Sequence, residues 1–492
     1  MHAGPATVKC AVLRPSRMRL LAAASLLLLV LAGCAARSPV EGPAPRPELD
    51  AAGRIDLAAV AANIGAPVVM EHDHNDASLH AGGHNVQLVA WSTLGVRLGD
   101  NGFANFVLHR TAANRTLAFV AVDGDAEGGF TIADVTDPAH IQRVGDYRTA
   151  GSGFQEVRVT PDGRHALLNV QDVPSRSSPS CTVCIQVVSV SDPAHPAFES
   201  ALPVEALGTH NMDVVQYADA VYVFYVGQPA DANNSPAGNR LGVARLVEAN
   251  GLAALVPVGS FAHPALLDAG RSFPHDILVQ QHPDGKRVAY VSHWDGGVVT
   301  FDATNPLAVT PLGVNTEQAP SDALAIHWTT QEPARRHDGR TIVWSAPEIG
   351  SLTKGTGVVR AYDGSDPASL KQIGTWQLPG DLAIEGQFRL SPHTVAPDMA
   401  TGLAAVAHYH AGVWVLDIAD PAHPAALGYY FPHGNGTAPY DGPIWWKKPN
   451  FDPKGFLPNA FQVRWDRGLL WVTERGTGLY ALRYTGPVPG PV

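Results

Sequence analysis

The residues best suited to chemistry in this chain are histidines and glutamates that recur in similar short contexts. Four histidines stand in the triplets Thr209-His210-Asn211, Pro274-His275-Asp276, Ile326-His327-Trp328 and Pro392-His393-Thr394. Three more lie in Ser292-His293-Trp294-Asp295-Gly296 and His408-Tyr409-His410-Ala411-Gly412. Glu348 (Pro-Glu-Ile-Gly) and Glu474 (Thr-Glu-Arg-Gly) occupy similar settings, as do Asp172 and the Asp123-Gly124-Asp125 pair. Imidazoles grouped with carboxylates can coordinate a transition metal, and Glu348 or Glu474 could then act as general base. The separations match no named zinc motif, and the chain has no Gly-x-Ser-x-Gly elbow, phosphate loop or dinucleotide fingerprint. Any such site must therefore be assembled by the fold.

The elements that would assemble it are written as a repeat. An alternating apolar strand, an Asp-Pro turn and a second strand follow one another in Gly412-Val-Trp-Val-Leu-Asp-Ile-Ala-Asp-Pro-Ala-His-Pro-Ala-Ala-Leu-Gly-Tyr-Tyr-Phe431. The pattern returns at Phe130–Pro138 with Val144-Gly145, at Val187–Pro193, at Val298–Pro306 with Leu312-Gly313, and at Val358–Pro367 with Ile373-Gly374. Fixed-period self-similarity fixes the architecture before any single residue does. These residues closely resemble the LVIVD repeat, whose strand and turn read LxIVDVSDP. The resemblance implies a β-propeller and an exported protein of the lipoprotein kind, and implies no single activity.

Turn residues at 137, 192, 305, 366 and 420 leave one double-length gap. That gap holds Leu241–Val247 and Leu255–Phe261 around Glu-Ala-Asn-Gly251, the same rhythm with another turn. A last unit ends in Gly478–Tyr484 without a fourth strand, and Asn85–Trp91 supplies a strand with no unit of its own. The expectation is an all-β, seven-bladed propeller of four-stranded blades over 85–486, closed by the N-terminal strand pairing with the last blade. Closure removes two open sheet edges. Residues 433–458 form an insertion, and 51–84 a segment before the propeller.

In an up-and-down blade, the start of the innermost strand and the loop between second and third strands share one face. His210, His275, His293, His327, His393, His408 and His410 are thereby all expected at one mouth with Glu348 and Glu474. Two readings are open. One is a metal or substrate site. The other is that a histidine recurs because the repeat recurs, bonding between strands as mortar. His140, His195 and His423, in Asp-Pro-Ala-His turns, are expected to be solvated. Glu71-His-Asp-His-Asn-Asp76 is either an exposed polar loop or a metal-binding lid, and Trp445-Trp446-Lys-Lys448 either a partner surface or a plug.

The ends and the charge bound the setting. Arg14, Arg17 and Arg19 precede the apolar run Leu20–Val30, which ends in Leu31-Ala-Gly-Cys34. This is a signal peptide over 1–33, too short to stay as a spanning helix, and its end resembles a lipobox. That implies a lipid on Cys34, a flexible tether over 34–50 and membrane attachment in the cell envelope, on the outer membrane or facing the periplasm. Losing 1–33 leaves 30 basic against 45 acidic residues, net −15, a poor partner for nucleic acid. Cys181 and Cys184, with no second pair and no following His, are expected as a local disulfide. The functional expectation is a binding or scaffold module with a ligand or protein at the mouth. The alternative is a metal-dependent envelope hydrolase or oxidase.

Overall fold

The computed structural model describes residues 83–96, 102–123, 127–150, 155–171, 183–204, 208–227, 240–266, 273–293, 296–315, 326–330, 334–335, 340–349, 357–378, 391–409, 411–432 and 459–490. All belong to one compact unit, Pro45–Val492. The leader, Cys34, the tether, the Glu71–Asp76 run, His410 and the 433–458 insertion lie outside the described residues, as does Cys181.

Among the described residues, seven antiparallel sheets follow one another along the chain. Their first strands are Gly102–Arg110, Val157–Val159, Asn211–Gln216, Pro274–Gln281, Ile326–Thr330, Thr394–Asp398 and Ala460–Asp466. Each first strand touches that of the next sheet, and the seventh touches the first, so these strands ring an axis. The fold is the expected seven-bladed propeller. Blades are numbered here in the order of those strands.

Closure follows the expected route. Val86–Ser92 pairs with Gly478–Tyr484, from Val86 opposite Tyr484 to Ser92 opposite Leu479, and becomes the outer strand of blade 7. One feature has no signal in the sequence. Gly83–His84 first pairs with Tyr430 and Tyr429, adding a fifth strand to blade 6. Asn85, at φ 54°, turns the chain between the two blades. Its side-chain amide donates to Leu427 O at 2.8 Å, and its carbonyl accepts from Thr485 N at 2.8 Å. The N-terminal segment therefore stitches two blades rather than one.

The apolar core is divided in the same sevenfold way. Seven buried clusters are found, and each draws its main members from two neighbouring blades. Trp344, Trp376 and Trp414 pack between blades 5 and 6, and Trp471 between blades 7 and 1. Alternation along each strand sends one set of side chains to each neighbour, so the middle strands of most blades are buried on both faces.

The repeat motif is itself a docking device. Asp137, Asp192, Asp366 and Asp420 each accept, through Oδ1, the backbone N–H two residues on, at 3.0–3.1 Å. This Asx turn holds the Asp-Pro corner. The outer strand of every blade then carries one β-bulge, at Val144, Glu199, Val258, Leu312, Ile373, Leu427 and Val89. In blades 1, 4 and 5 the residue after the bulge is the repeat glycine. A β-carbon on Gly145, Gly313 or Gly374 would collide with the backbone of Pro193, Ala368 or Pro421 respectively, each in the Asp-Pro turn of the next blade. Blade 2 has Ser200 at this place, and its hydroxyl donates to Ala253 O of blade 3 at 2.8 Å.

Gly374→Val should therefore lower unfolding free energy by about 1–3 kcal/mol, the usual range for overpacking a filled site. Chemical denaturation with the slope unchanged is the check, and an unaltered midpoint would refute the docking role.

Candidate functional site

The described candidates at the histidine face are joined into a belt that touches all seven blades. His210 Nδ1–H of blade 3 donates to Gln171 Oε1 of blade 2 at 2.7 Å. The His210 and His275 rings lie 4.3 Å apart, which links blades 3 and 4. His275 Nε2 is 3.6 Å from Glu348 Oε2 of blade 5, and Glu348 Oε1 accepts from the Tyr409 hydroxyl of blade 6 at 2.5 Å. The Tyr409 ring meets His393 edge-on at 5.2 Å. His393 Nδ1–H donates to Phe461 O of blade 7 at 2.7 Å while its ring stacks on Phe461 at 3.8 Å. The Arg475 guanidinium lies 4.6 Å over the Phe461 ring, and its Nη2 is 3.4 Å from Asp123 Oδ2 of blade 1.

His210, His275 and His393 thus work as mortar, but between blades rather than within one. Burial, with His275 beside it, pushes the His210 pKa well below its ordinary 6.5, so this ring is neutral. A neutral ring donating through Nδ1 fits its bond to Gln171.

The other candidates stand apart from that belt. His293 is buried beside His263 and Phe301 at a small cleft between blades 3 and 4. His408 is buried edge-on against Trp376 at 6.1 Å, in a tight turn where its N–H donates to Gly412 O. Glu474 accepts from Asn459 N and Gly476 N, both at 2.8 Å, and from the Thr477 hydroxyl at 2.5 Å. Burial nevertheless raises its pKa to about 7. Its bonds hold the loop that leads to the last strand. Among the described residues no group of three His, Cys, Asp or Glu side chains is gathered closely enough to hold a metal ion. His327 lies on its expected inner strand, but its side chain, like His410, Trp445 and Trp446, falls outside what the structure describes. Cys184 is disulfide-bonded, with its partner outside the described residues. His140, His195 and His423 are solvent-exposed, and each ring bonds its own turn Asp at 2.7–2.9 Å.

A second set of polar residues belongs to none of the motifs that point to chemistry. Asn105, Glu156, Asn211, Asp276, Thr394 and Gln462, one from each of six blades, line a cavity on the axis of about 170 Å³. Their signal lies in the histidine triplets. Asn211, Asp276 and Thr394 directly follow the mortar histidines, so strand alternation turns them to the axis when the histidine turns to the neighbouring blade. Asn105 Nδ2 donates to Glu156 Oε2 at 2.6 Å, and Glu156 Oε1 pairs with Arg158 Nε at 3.0 Å. Asn169 Oδ1 fixes this strand by accepting from Glu156 N at 2.7 Å. Burial raises the pKa of Glu156. Asp276 is pushed up to about 7 by burial and by the neighbouring Glu156 and Asp213, against Arg158.

The inner strands of these six blades are buried toward their histidine ends and become partly exposed further along. The expectation placed a ligand at the histidine end. The cavity lining includes Leu278, Pro397 and Trp465, further along these strands toward the face of the Asp-Pro turns.

The LVIVD repeat family matches residues 118–149, the second to fourth strands of blade 1 with its Asp-Pro turn. A seven-bladed β-propeller thus carries an LVIVD repeat in its first blade. No curated protein matches the sequence. Among solved structures, the periplasmic gluconolactonase of Pseudomonas aeruginosa is similar at 16% identity, covering 66% of this chain and 84% of its own, with a TM-score of 0.46. A putative 6-phosphogluconolactonase of Bacteroides fragilis is similar at 12% identity, with coverage of 80% and 96% and a TM-score of 0.44. The Cps50 (Swd1) β-propeller domain of Myceliophteria thermophila follows at 11%, 81% and 98%, and 0.48.

The raised Asp276 pKa has a measurable consequence. An acid group whose pKa is higher in the folded chain than its ordinary 3.8 stabilises the fold fully below that value and loses the contribution as pH rises through about 7. Asp276→Asn removes the titration, so its melting temperature should gain on that of the wild type between pH 5 and pH 8. Parallel thermal melts at the two pH values decide it, and a constant difference would show that Asp276 does not titrate in this window.

Proposed function

We propose that this LVIVD propeller is a non-catalytic binding or scaffold module of the cell envelope, exported by its leader and held at the membrane by a lipid on Cys34. The belt carries the reading. His210, His275, His393, Glu348 and Glu474, the side chains best suited to catalysis, are engaged in joining blades and holding loops. Chemistry devoted to cohesion leaves a rigid ring whose cavity and loops are free to recognise a small molecule or a protein, and loops on rigid scaffolds are where recognition concentrates. The disulfide at Cys184 suits an oxidising compartment. Trp445 and Trp446 in the insertion, aromatics beside two lysines, supply a surface for a protein partner.

Elemental analysis of the full chain, purified in detergent without chelator or His tag, is the first test. We expect no stoichiometric copper, zinc, iron or manganese, and we expect His393→Ala to lower stability by about 1–3 kcal/mol through its unpaired Phe461 carbonyl. About one equivalent of metal, lost on changing His293 and His410 to Ala, would instead establish the metal-dependent enzyme. The envelope assignment is tested separately. Cys34→Ser should abolish incorporation of radiolabelled palmitate and move the protein from the membrane to the soluble fraction. Unchanged labelling would refute the anchor.

A further inference from the structure

The axial cavity holds polar groups that the belt leaves unused. At about 30 Å³ per water in the liquid, its roughly 170 Å³ has room for several waters or one compact organic molecule. Its wall carries both signs, Glu156 and Asp276 facing in with Arg158 and Arg464, so it selects for neither a net cation nor a net anion. What it offers is a surplus of acceptors. Asn105 is 7% exposed, and its Oδ1 is buried with no hydrogen-bond partner among the described residues. Its amide nitrogen is already committed to Glu156 at 2.6 Å and Asn211 at 3.4 Å. Asp276, 8% exposed, accepts through Oδ1 only the Ile277 N–H at 2.8 Å, and no Lys, Arg or His pairs with it among the described residues.

Two buried acceptors on residues that line one cavity call for hydroxyl donors. The Arg464 guanidinium lies on the same wall, and with five N–H donors it can also donate to a ligand oxygen. A vicinal diol supplies both from adjacent atoms, whereas an ammonium would face Arg464 and a carboxylate would face Asp276. Trp465, its indole N–H held by Ala396 O at 3.0 Å, adds an apolar flank suited to the C–H face of a sugar ring.

We infer that the axial cavity binds a small neutral polyol of monosaccharide size, with Asp276 and Asn105 accepting from its hydroxyls and Arg464 donating to its oxygens. The ligand enters from the Asp-Pro-turn face, where the inner strands become exposed. The inference rests on the reading of the propeller as a binding module and gives that module a ligand.

Saturation-transfer NMR and calorimetry on the detergent-solubilised full chain test it. The probes are D-glucose, D-galactose, D-mannose and D-xylose, with gluconate and glucosamine as charged counterparts. At least one neutral sugar should bind with one-to-one stoichiometry and more tightly than either charged probe. At pH 8, where Asp276 is ionised, Asp276→Asn should weaken it about tenfold or more, the usual size for a hydrogen bond to a charged group, and Asn105→Ser should weaken it about three- to tenfold. Trp465→Phe should abolish the ligand-induced change in tryptophan emission. Because Asn105 also supports Glu156, its variant counts only with unchanged melting, and Asp276→Asn then decides alone. The proposal falls if water alone occupies the cavity and no neutral sugar binds, if a charged probe binds best, or if folded Asp276→Asn binds as the wild type does. A metal-free, lipid-anchored protein that binds no sugar would sink this inference and leave the binding-module reading standing. Stoichiometric metal would sink that reading first.

Discussion

At three of its joints the propeller depends on the fit of an Asp-Pro turn into the outer strand of the preceding blade. That fit needs three things at once: an Asx-capped corner that presents carbonyls outward, a bulge that bends the receiving strand, and a residue without a side chain at the point of contact. The chain meets all three with Asp-Pro, the bulged Val144, Leu312 or Ile373, and the glycine that follows. Bulges raise local twist, and a propeller requires each blade to twist so that neighbours pack face to face. The repeat is therefore an interface motif, and its apolar letters follow from it. They fill the seven clusters that the docked turns leave between blades.

Near the axis the same division of labour is made with polar residues. Outer strands join through backbone and glycine, while inner strands join through His210, His275, Glu348, Tyr409, His393, Phe461 and Arg475. Blades narrow toward the axis, so a long aliphatic side chain has little room there, and a flat ring that stacks and donates one hydrogen bond fits better. Keeping His210 neutral is part of that solution, because a charged imidazole 4.3 Å from a second ring would face both desolvation and repulsion.

Much of this architecture is legible in the amino-acid sequence. The turn spacing locates seven blades, including blade 3 with its different turn, and Val86–Ser92 is recognisable as the missing outer strand. What escapes is anything that depends on contacts between blades. Gly83–His84 pairs with blade 6 through two residues only, too short a run to show periodicity. The direction of the histidines is hidden as well. Sequence places His275 and Asp276 side by side, but only the assembled ring shows that one serves the neighbouring blade and the other the axis.

That alternation separates cohesion from recognition. If the histidines pointed to the axis, the central cavity would be lined by the side chains best able to bind metals, and the blades would lose their inner ties. With the register as it is, the ties lie between blades, and the axis receives amides, carboxylates and arginines drawn from Asn105, Glu156, Arg158, Asp276 and Arg464. These positions bear little of the fold's apolar packing, so they can change without loosening the ring. Glu156 shows the limit of that freedom. It is nearly fully buried, tied to Asn105 and Arg158, and its burial raises its pKa. Such a group is tolerable only where partners surround it. Asp276, with one backbone N–H as its hydrogen-bond partner among the described residues, is less fully surrounded, and a hydroxylated ligand would add to it.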